Sequence, residues 1–230
     1  MLASLIGFIV GVSLFGSVTY LPLYMQVVKY ATPTSAGLQM LPLMGGLLLV
    51  STLTGRLISH WGRYRLFPIA GTLLQVIGLA LLGTLRVDTP AWQMNLYMGV
   101  LGAGLGMVMQ VLILAVQNSV EYRHMGVATS GATLFRSIGG AIGVSGFGAL
   151  FGHGLQRRLE AAFPADAATV HPLSPDEVHA LAEPAHQAYL EAFSGALHNV
   201  FLMACVVTAV AFALAWLLEE VPLRGRTPSK

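Results

Sequence analysis

Three of the chain's twelve lysine and arginine residues crowd into eleven positions, as Arg56, Arg63 and Arg65 of the stretch Gly55-Arg56-Leu57-Ile58-Ser59-His60-Trp61-Gly62-Arg63-Tyr64-Arg65. Long uncharged apolar runs lie on both sides, so this basic, glycine-bracketed turn is suited to fixing topology rather than to catalysis. Arg136 is the one charge set well inside an apolar run, where a charge is expensive and normally faces a polar interior or a partner. The alternative is a later helix start, with Arg136 snorkelling to an interface. Gln75 and Gln110 are amides in apolar runs, and hydrogen bonding between helices is their default role. His179, Glu183 and His186 are four and three apart and would share a helical face, as zinc ligands can. Pro184 interrupts that spacing, and ordinary surface residues are the favoured reading. The sequence shows no nucleophile–base constellation, no phosphate-cradling glycine loop, no metal motif and no cofactor motif.

The elements that must hold these residues are membrane helices. Hydrophobic residues make up 55% of the 230 and charged residues 10%, and the mean hydropathy is +0.72. Soluble domains carry about 25% charged residues. The net charge of +2 and the lack of a long basic run give no case for a nucleic-acid partner, and none is expected. The lone cysteine, Cys205, excludes an internal disulfide or a cysteine metal cluster. About 20 apolar residues in a helix cross a bilayer. Six stretches qualify, at about 2–27, 37–59, 66–85, 93–118, 127–155 and 197–218, with a long segment at 156–196 before the last. The fold class is therefore all-α, spanning the lipid bilayer. Within the long segment, Ser174-Pro175-Asp176-Glu177 reads as the start of a short amphipathic helix, with Ser as N-cap and Glu closing a capping box.

Small residues and prolines punctuate these helices. Gly102 and Gly106 are four apart, as are Gly139 and Gly143, so each pair lies on one helical face. In lipid, that spacing lets backbones approach closely. Such a seam also permits sliding. Pro22 and Pro42 each remove a backbone hydrogen bond and can bend the first and second helices.

The basic residues divide unequally between the connections. Arg56, Arg63, Arg65, Arg123, Arg224, Arg226 and Lys230 fall on one side; Lys29, Arg86, Arg157 and Arg158 fall on the other. By the positive-inside rule both termini and the Gly55–Arg65 turn are cytoplasmic, and the 156–196 segment is extracytoplasmic.

The turn resembles the loop motif of the major facilitator superfamily, Gly-x-Leu-x-Asp-Arg-x-Gly-Arg-Arg. Gly55, Leu57, Gly62 and Arg63 match it. Ser59 stands where the family's acid usually stands, His60 in place of an arginine and Tyr64 in place of a basic residue. Tyr20-Leu21-Pro22-Leu23-Tyr24-Met25-Gln26, Pro33, Ala36-Gly37-Leu38 and Leu41-Pro42 resemble the fourteen-helix drug:proton antiporter branch. So do Ala115-Val116-Gln117-Asn118 and the stretch from Gly126 through Phe135-Arg136-Ser137-Ile138-Gly139-Gly140-Ala141-Ile142-Gly143. The resemblance covers nearly the whole chain and corresponds to the C-terminal six-helix half alone.

What the resemblance implies is a three-plus-three inverted repeat forming half of a transporter whose cavity lies between two halves. The first, second, fourth and fifth helices would line that cavity. Phe15, Tyr20, Tyr24, Met44, Met98, Met107 and Gln110 are then its candidate residues, with aromatic and methionine surfaces suited to lipophilic molecules, cations among them. Arg136 would stabilise the cytoplasmic side of the contact between halves. The implied activity is proton-coupled multidrug efflux by alternating access in a bacterial inner membrane. The partners are protons, lipophilic small molecules and a missing N-terminal half, supplied by a longer chain or a paired subunit. The carboxylates usually tied to proton coupling would lie in that other half. Two further readings stay open: a non-transporting six-helix protein (channel, structural subunit or membrane enzyme), or an inactive truncated fragment.

Overall fold

The computed structural model describes residues 2–62, 64–118, 120–163 and 173–218. Its helices are α1 (Leu2–Val18), α2 (Tyr20–Val28), α3 (Pro33–Leu38), α4 (Leu41–Trp61), α5 (Leu66–Gly83), α6 (Ala91–Asn118), α7 (Met125–Ala162), α8 (Pro175–His179) and α9 (Ala185–Ala215). No strand occurs among the described residues. Six spans are long and apolar enough to cross a membrane: Leu2–Val28, Pro33–His60, Leu66–Gly83, Ala91–Asn118, Tyr122–Ala162 and Ala185–Ala215.

Local chemistry sets where these helices start, stop and break. The first two spans are each divided four residues before a proline. A proline ring displaces the carbonyl of residue i−4 and has no N–H to give it. For Pro22 that residue is Val18, where α1 ends; for Pro42 it is Leu38, where α3 ends. Thr32 caps α3 by accepting from the Ser35 N–H at 3.3 Å, with Pro33 in the first turn. α4 stops at Gly62, which takes the left-handed conformation (φ 74°) and donates its N–H to the Ile58 carbonyl at 2.8 Å. Ser174 and Glu177 form a capping box at α8: the Ser174 N–H donates to Glu177 Oε2 at 2.7 Å, and the Glu177 N–H to Ser174 Oγ at 3.4 Å.

Packing pairs the two repeats across each other. α1 lies on α7 and α4 on α6, while α5 touches both α6 and α9. Exchanging the first three spans with the last three maps the α1–α7 pair onto the α6–α4 pair, as an inverted three-plus-three repeat requires. Small residues make both contacts. A methyl at Gly102 would strike the Leu43 carbonyl, and one at Gly106 would lie 2.5 Å from the Leu47 carbonyl. On α7, methyls at Gly139 and Gly143 would strike the carbonyls of Phe8 and Val12 on α1. α6 carries a second such face: Gly104 and Gly71 of α5 each leave room for the other's carbonyl, at 2.6 and 2.8 Å from the missing methyls. α6 is therefore the central helix, held on two sides at backbone distance.

Two helices run beyond the stretches that hydropathy marks. α7 continues to Ala162 and α9 begins at Ala185, so the long segment at 156–196 is helical at both ends. The added turns pack into the main apolar cluster, with Leu159 of α7 and Tyr189, Leu190 and Phe193 of α9 all buried. Polar outward faces such as Gln156-Arg157-Arg158 keep these turns below any hydropathy threshold.

Candidate functional site

The six spans are unequally covered. Of its most apolar stretch, α4 buries 11% inside the molecule, against 56% for α6. The uncovered face of α4 is not uniformly apolar. Ser51, Gly55 and Ser59 follow one another at four-residue intervals, and so do Thr52, Arg56 and His60, which puts all six on one side of the helix. With Gln110 of α6 they bound an open cleft of about 630 Å³. Ser51 Oγ donates to Gln110 Oε1 at 3.3 Å. The Gln110 amide nitrogen lies over Gly55, 3.6 Å from where a methyl would stand. Thr52 spends its hydroxyl on the Leu48 carbonyl at 2.8 Å. A stripe of hydroxyls, an amide and a guanidinium is a poor lipid-facing surface, because hydrocarbon offers such groups no partners.

Arg136 occupies the other side of α6. Its Nη1 donates to Met109 Sδ at 2.9 Å, a weak acceptor for a full charge. Beside it lies a cavity of about 30 Å³ between α1, α6 and α7, bordered by Ser4, Gly7, Thr129 and Thr133, room for about one water molecule. Met109 and Gln110 are consecutive on α6, so a basic side chain flanks that helix on each side.

The Major Facilitator Superfamily model matches residues 1–144. The chain belongs to the major facilitator superfamily. It is 43% identical over 219 residues to an uncharacterized MFS-type transporter of Mycobacterium tuberculosis, covering 95% of this chain and 32% of that protein. A multidrug transporter protein of Bacillus subtilis is 35% identical over 147 residues, 64% of this chain and 27% of its own length. A tetracycline resistance determinant of Streptomyces rimosus is 29% identical over 248 residues, 96% of this chain and 72% of its own. The chain thus spans about a third of the length of the first two relatives.

Within this superfamily fold, the candidate residues separate into two groups. Phe15 (46% exposed) and Met44 (45%) stand on uncovered surface, and Gln110 lines the α4 cleft. Tyr24 and Met98 have no exposed surface, and Tyr20 is 9% exposed. Tyr24 ties the end of the first span to the α5–α6 connection, its hydroxyl donating to the Arg86 carbonyl at 2.7 Å. Tyr20 packs on Phe151 with ring centroids 5.1 Å apart. Met107 lies against Gly71 in the α5–α6 contact. The cleft thus gathers Gln110 and leaves Tyr20, Tyr24 and Met98 in the interior of the half.

The loop-motif residues also part company. Gly55 and Arg56 line the cleft, Leu57 points outward at 38% exposure, and Gly62 caps α4. Arg65 Nη2 donates to the Trp216 carbonyl at 2.7 Å, so it satisfies the end of α9 instead. Arg63 lies outside the described residues, as do Arg224, Arg226 and Lys230. Gln75 is buried and donates to the Gly104 carbonyl at 3.4 Å. At the opposite end, Lys29 Nζ donates to the Val87 carbonyl at 2.6 Å. Burial pushes its ammonium below the ordinary lysine value, and the Asp88 carboxylate offsets part of that. His179, Glu183 and His186 gather around Tyr30. His179 stacks on the Tyr30 ring at 4.0 Å, and His186 sits between the Tyr30 hydroxyl (2.6 Å) and Glu183 (3.2 Å).

Ser51, Thr52, Ser59 and His60 are cleft residues that sequence reasoning passed over. Their signal was the four-residue spacing of polar side chains through the end of an apolar span. Ser13 was missed as well: it bonds Thr208 Oγ1 and the Ala204 carbonyl, clamping α1 to α9. A hydroxyl in an apolar run carries no mark of its partner.

Proposed function

We propose that this chain is the C-terminal six-helix half of a proton-coupled exporter of lipophilic small molecules, of the fourteen-helix drug:proton antiporter branch. It works with an N-terminal half by alternating access in a bacterial inner membrane, both termini cytoplasmic. The observation that carries this reading is the polar stripe on α4, the least covered membrane helix. Such a stripe needs either water or a protein face opposite it, and a cavity between two halves supplies both. The exposed apolar residues of α4 and α7, including Leu48, Leu49, Leu53, Phe135, Ile138 and Ile142, flank the polar groups as a contact rim would. The multidrug and tetracycline-resistance relatives support the substrate class. Everted membrane vesicles containing the complete transporter test it. Energised vesicles should accumulate a lipophilic dye, and a protonophore should stop them. Accumulation that survives the protonophore removes proton coupling, and no accumulation of any dye removes export.

A further inference from the structure

We infer that the cleft between α4 and α6 binds the anionic group of a lipophilic small molecule, a carboxylate or phenolate, with Arg56 as its counter-ion. This rests on the transport reading for its setting and refines the substrate class. The charge balance points one way. Arg56 lines the cleft and has no partner among the described residues, while no acidic residue borders it. None of α1 through α6 contains an acidic residue, and the acids of the later spans, Glu160 and Glu191, lie at the opposite end. Arg136 adds a second positive charge across α6.

The hydrogen-bonding groups agree. Ser51 occupies the Gln110 carbonyl oxygen, which leaves the amide N–H groups of Gln110 to the cleft. Together with the guanidinium they form a donor-rich wall, suited to an oxyanion and repellent to an ammonium. Arg56 is five residues from the end of α4, about 7.5 Å along the helix. Its side chain is exposed and can reach a solute in the cleft. The open cleft, about 630 Å³, has room for a small molecule. Leu57, exposed beside Arg56, offers a surface for the solute's apolar body. Tyr20 and Tyr24, two of the rings that would favour a cation, are buried elsewhere.

Equilibrium binding to the complete transporter in nanodiscs tests this, using pyrenebutanoate, its methyl ester and pyrenemethylammonium, three probes that share one ring system. The carboxylate should bind at least about tenfold more tightly than the ester, the scale of one charge-assisted bond. Arg56→Gln should erase that difference, and Arg56→Lys, which keeps the charge but not the planar fork, should keep part of it. Gln110→Glu, which places an acid in the cleft, should reverse the preference toward the ammonium probe. Equal affinities for all three probes, or a preference for the cation, overturn the inference. So does Arg56→Gln weakening all three alike, the mark of an arginine paired with a carboxylate of the other half. Dye transport is read separately. Carboxylate binding without transport sinks the exporter reading alone, and transport without carboxylate preference sinks this inference alone.

Discussion

At Gly102 a side chain would have to occupy the space of the Leu43 carbonyl, and a backbone group cannot rotate away as a side-chain tip can. Gly102→Leu should therefore destabilise the protein by about 1–3 kcal/mol or more, read as a fall in melting temperature and in monodisperse yield. Gly126→Leu meets open space and should leave both unchanged. Equal losses at the two positions would remove backbone packing as the reason for the Gly102–Gly106 seam. Arg136 is governed by charge rather than volume. Its thioether partner leaves it under-satisfied, so Arg136→Leu should leave the melting temperature unchanged or raise it. By the same charge argument Arg136→Ala should lower dye export, through a weakened cytoplasmic contact between halves. Normal export by folded Arg136→Ala protein would eliminate that role.

Single helices respond as units. Pro22→Ala restores the N–H that Val18 lacks, so α1 and α2 should fuse. The new amide at residue 22 should be protected from hydrogen exchange, and export should fall. A residue-22 amide that exchanges as fast as an open loop would mean that another contact keeps the chain broken. Near the end of α2, the lowered Lys29 value makes a pH prediction. Between the folded value and the ordinary value near 10.4, the unfolded chain holds more protons than the folded one, so stability rises with pH. The contribution is complete above the ordinary value and is lost as pH falls through the folded one. Lys29→Gln should flatten that rise in melting temperature, and an identical slope in both proteins would refute the assignment. Hydropathy made the six spans legible. The breaks at Thr19 and before Leu41 were half-legible, since Pro22 and Pro42 announced bending but not its place. Beyond the faces marked by the glycine pairs, which side each helix presents was not legible. A membrane helix apolar on every side carries no amphipathic signal, so Tyr24 and Phe15 read alike although one is sealed and the other half exposed.

For the molecule as a whole, the uneven covering of the spans predicts who touches whom. In the assembled transporter, cysteines at Leu53 and Ile142 should cross-link to the other half, and cysteines at Leu73 of α5 and Val206 of α9 should not. Cross-links from α5 or α9 would reverse which faces meet the partner. The superfamily loop was legible as a motif, yet its residues divide between a cleft, a helix cap and the end of α9. One-dimensional spacing cannot foresee that division, because it depends on where α6 and α9 come to lie. The lengths of α7 and α9 carry a further consequence. At 38 and 31 residues they reach about 57 and 46 Å, against a hydrocarbon core of about 30 Å. That excess lies where α7 ends and α9 begins, beside α8. An antibody fragment gripping those charged turns should not have to enter lipid, and it would add the asymmetric mass by which so small a membrane particle can be oriented in an electron micrograph.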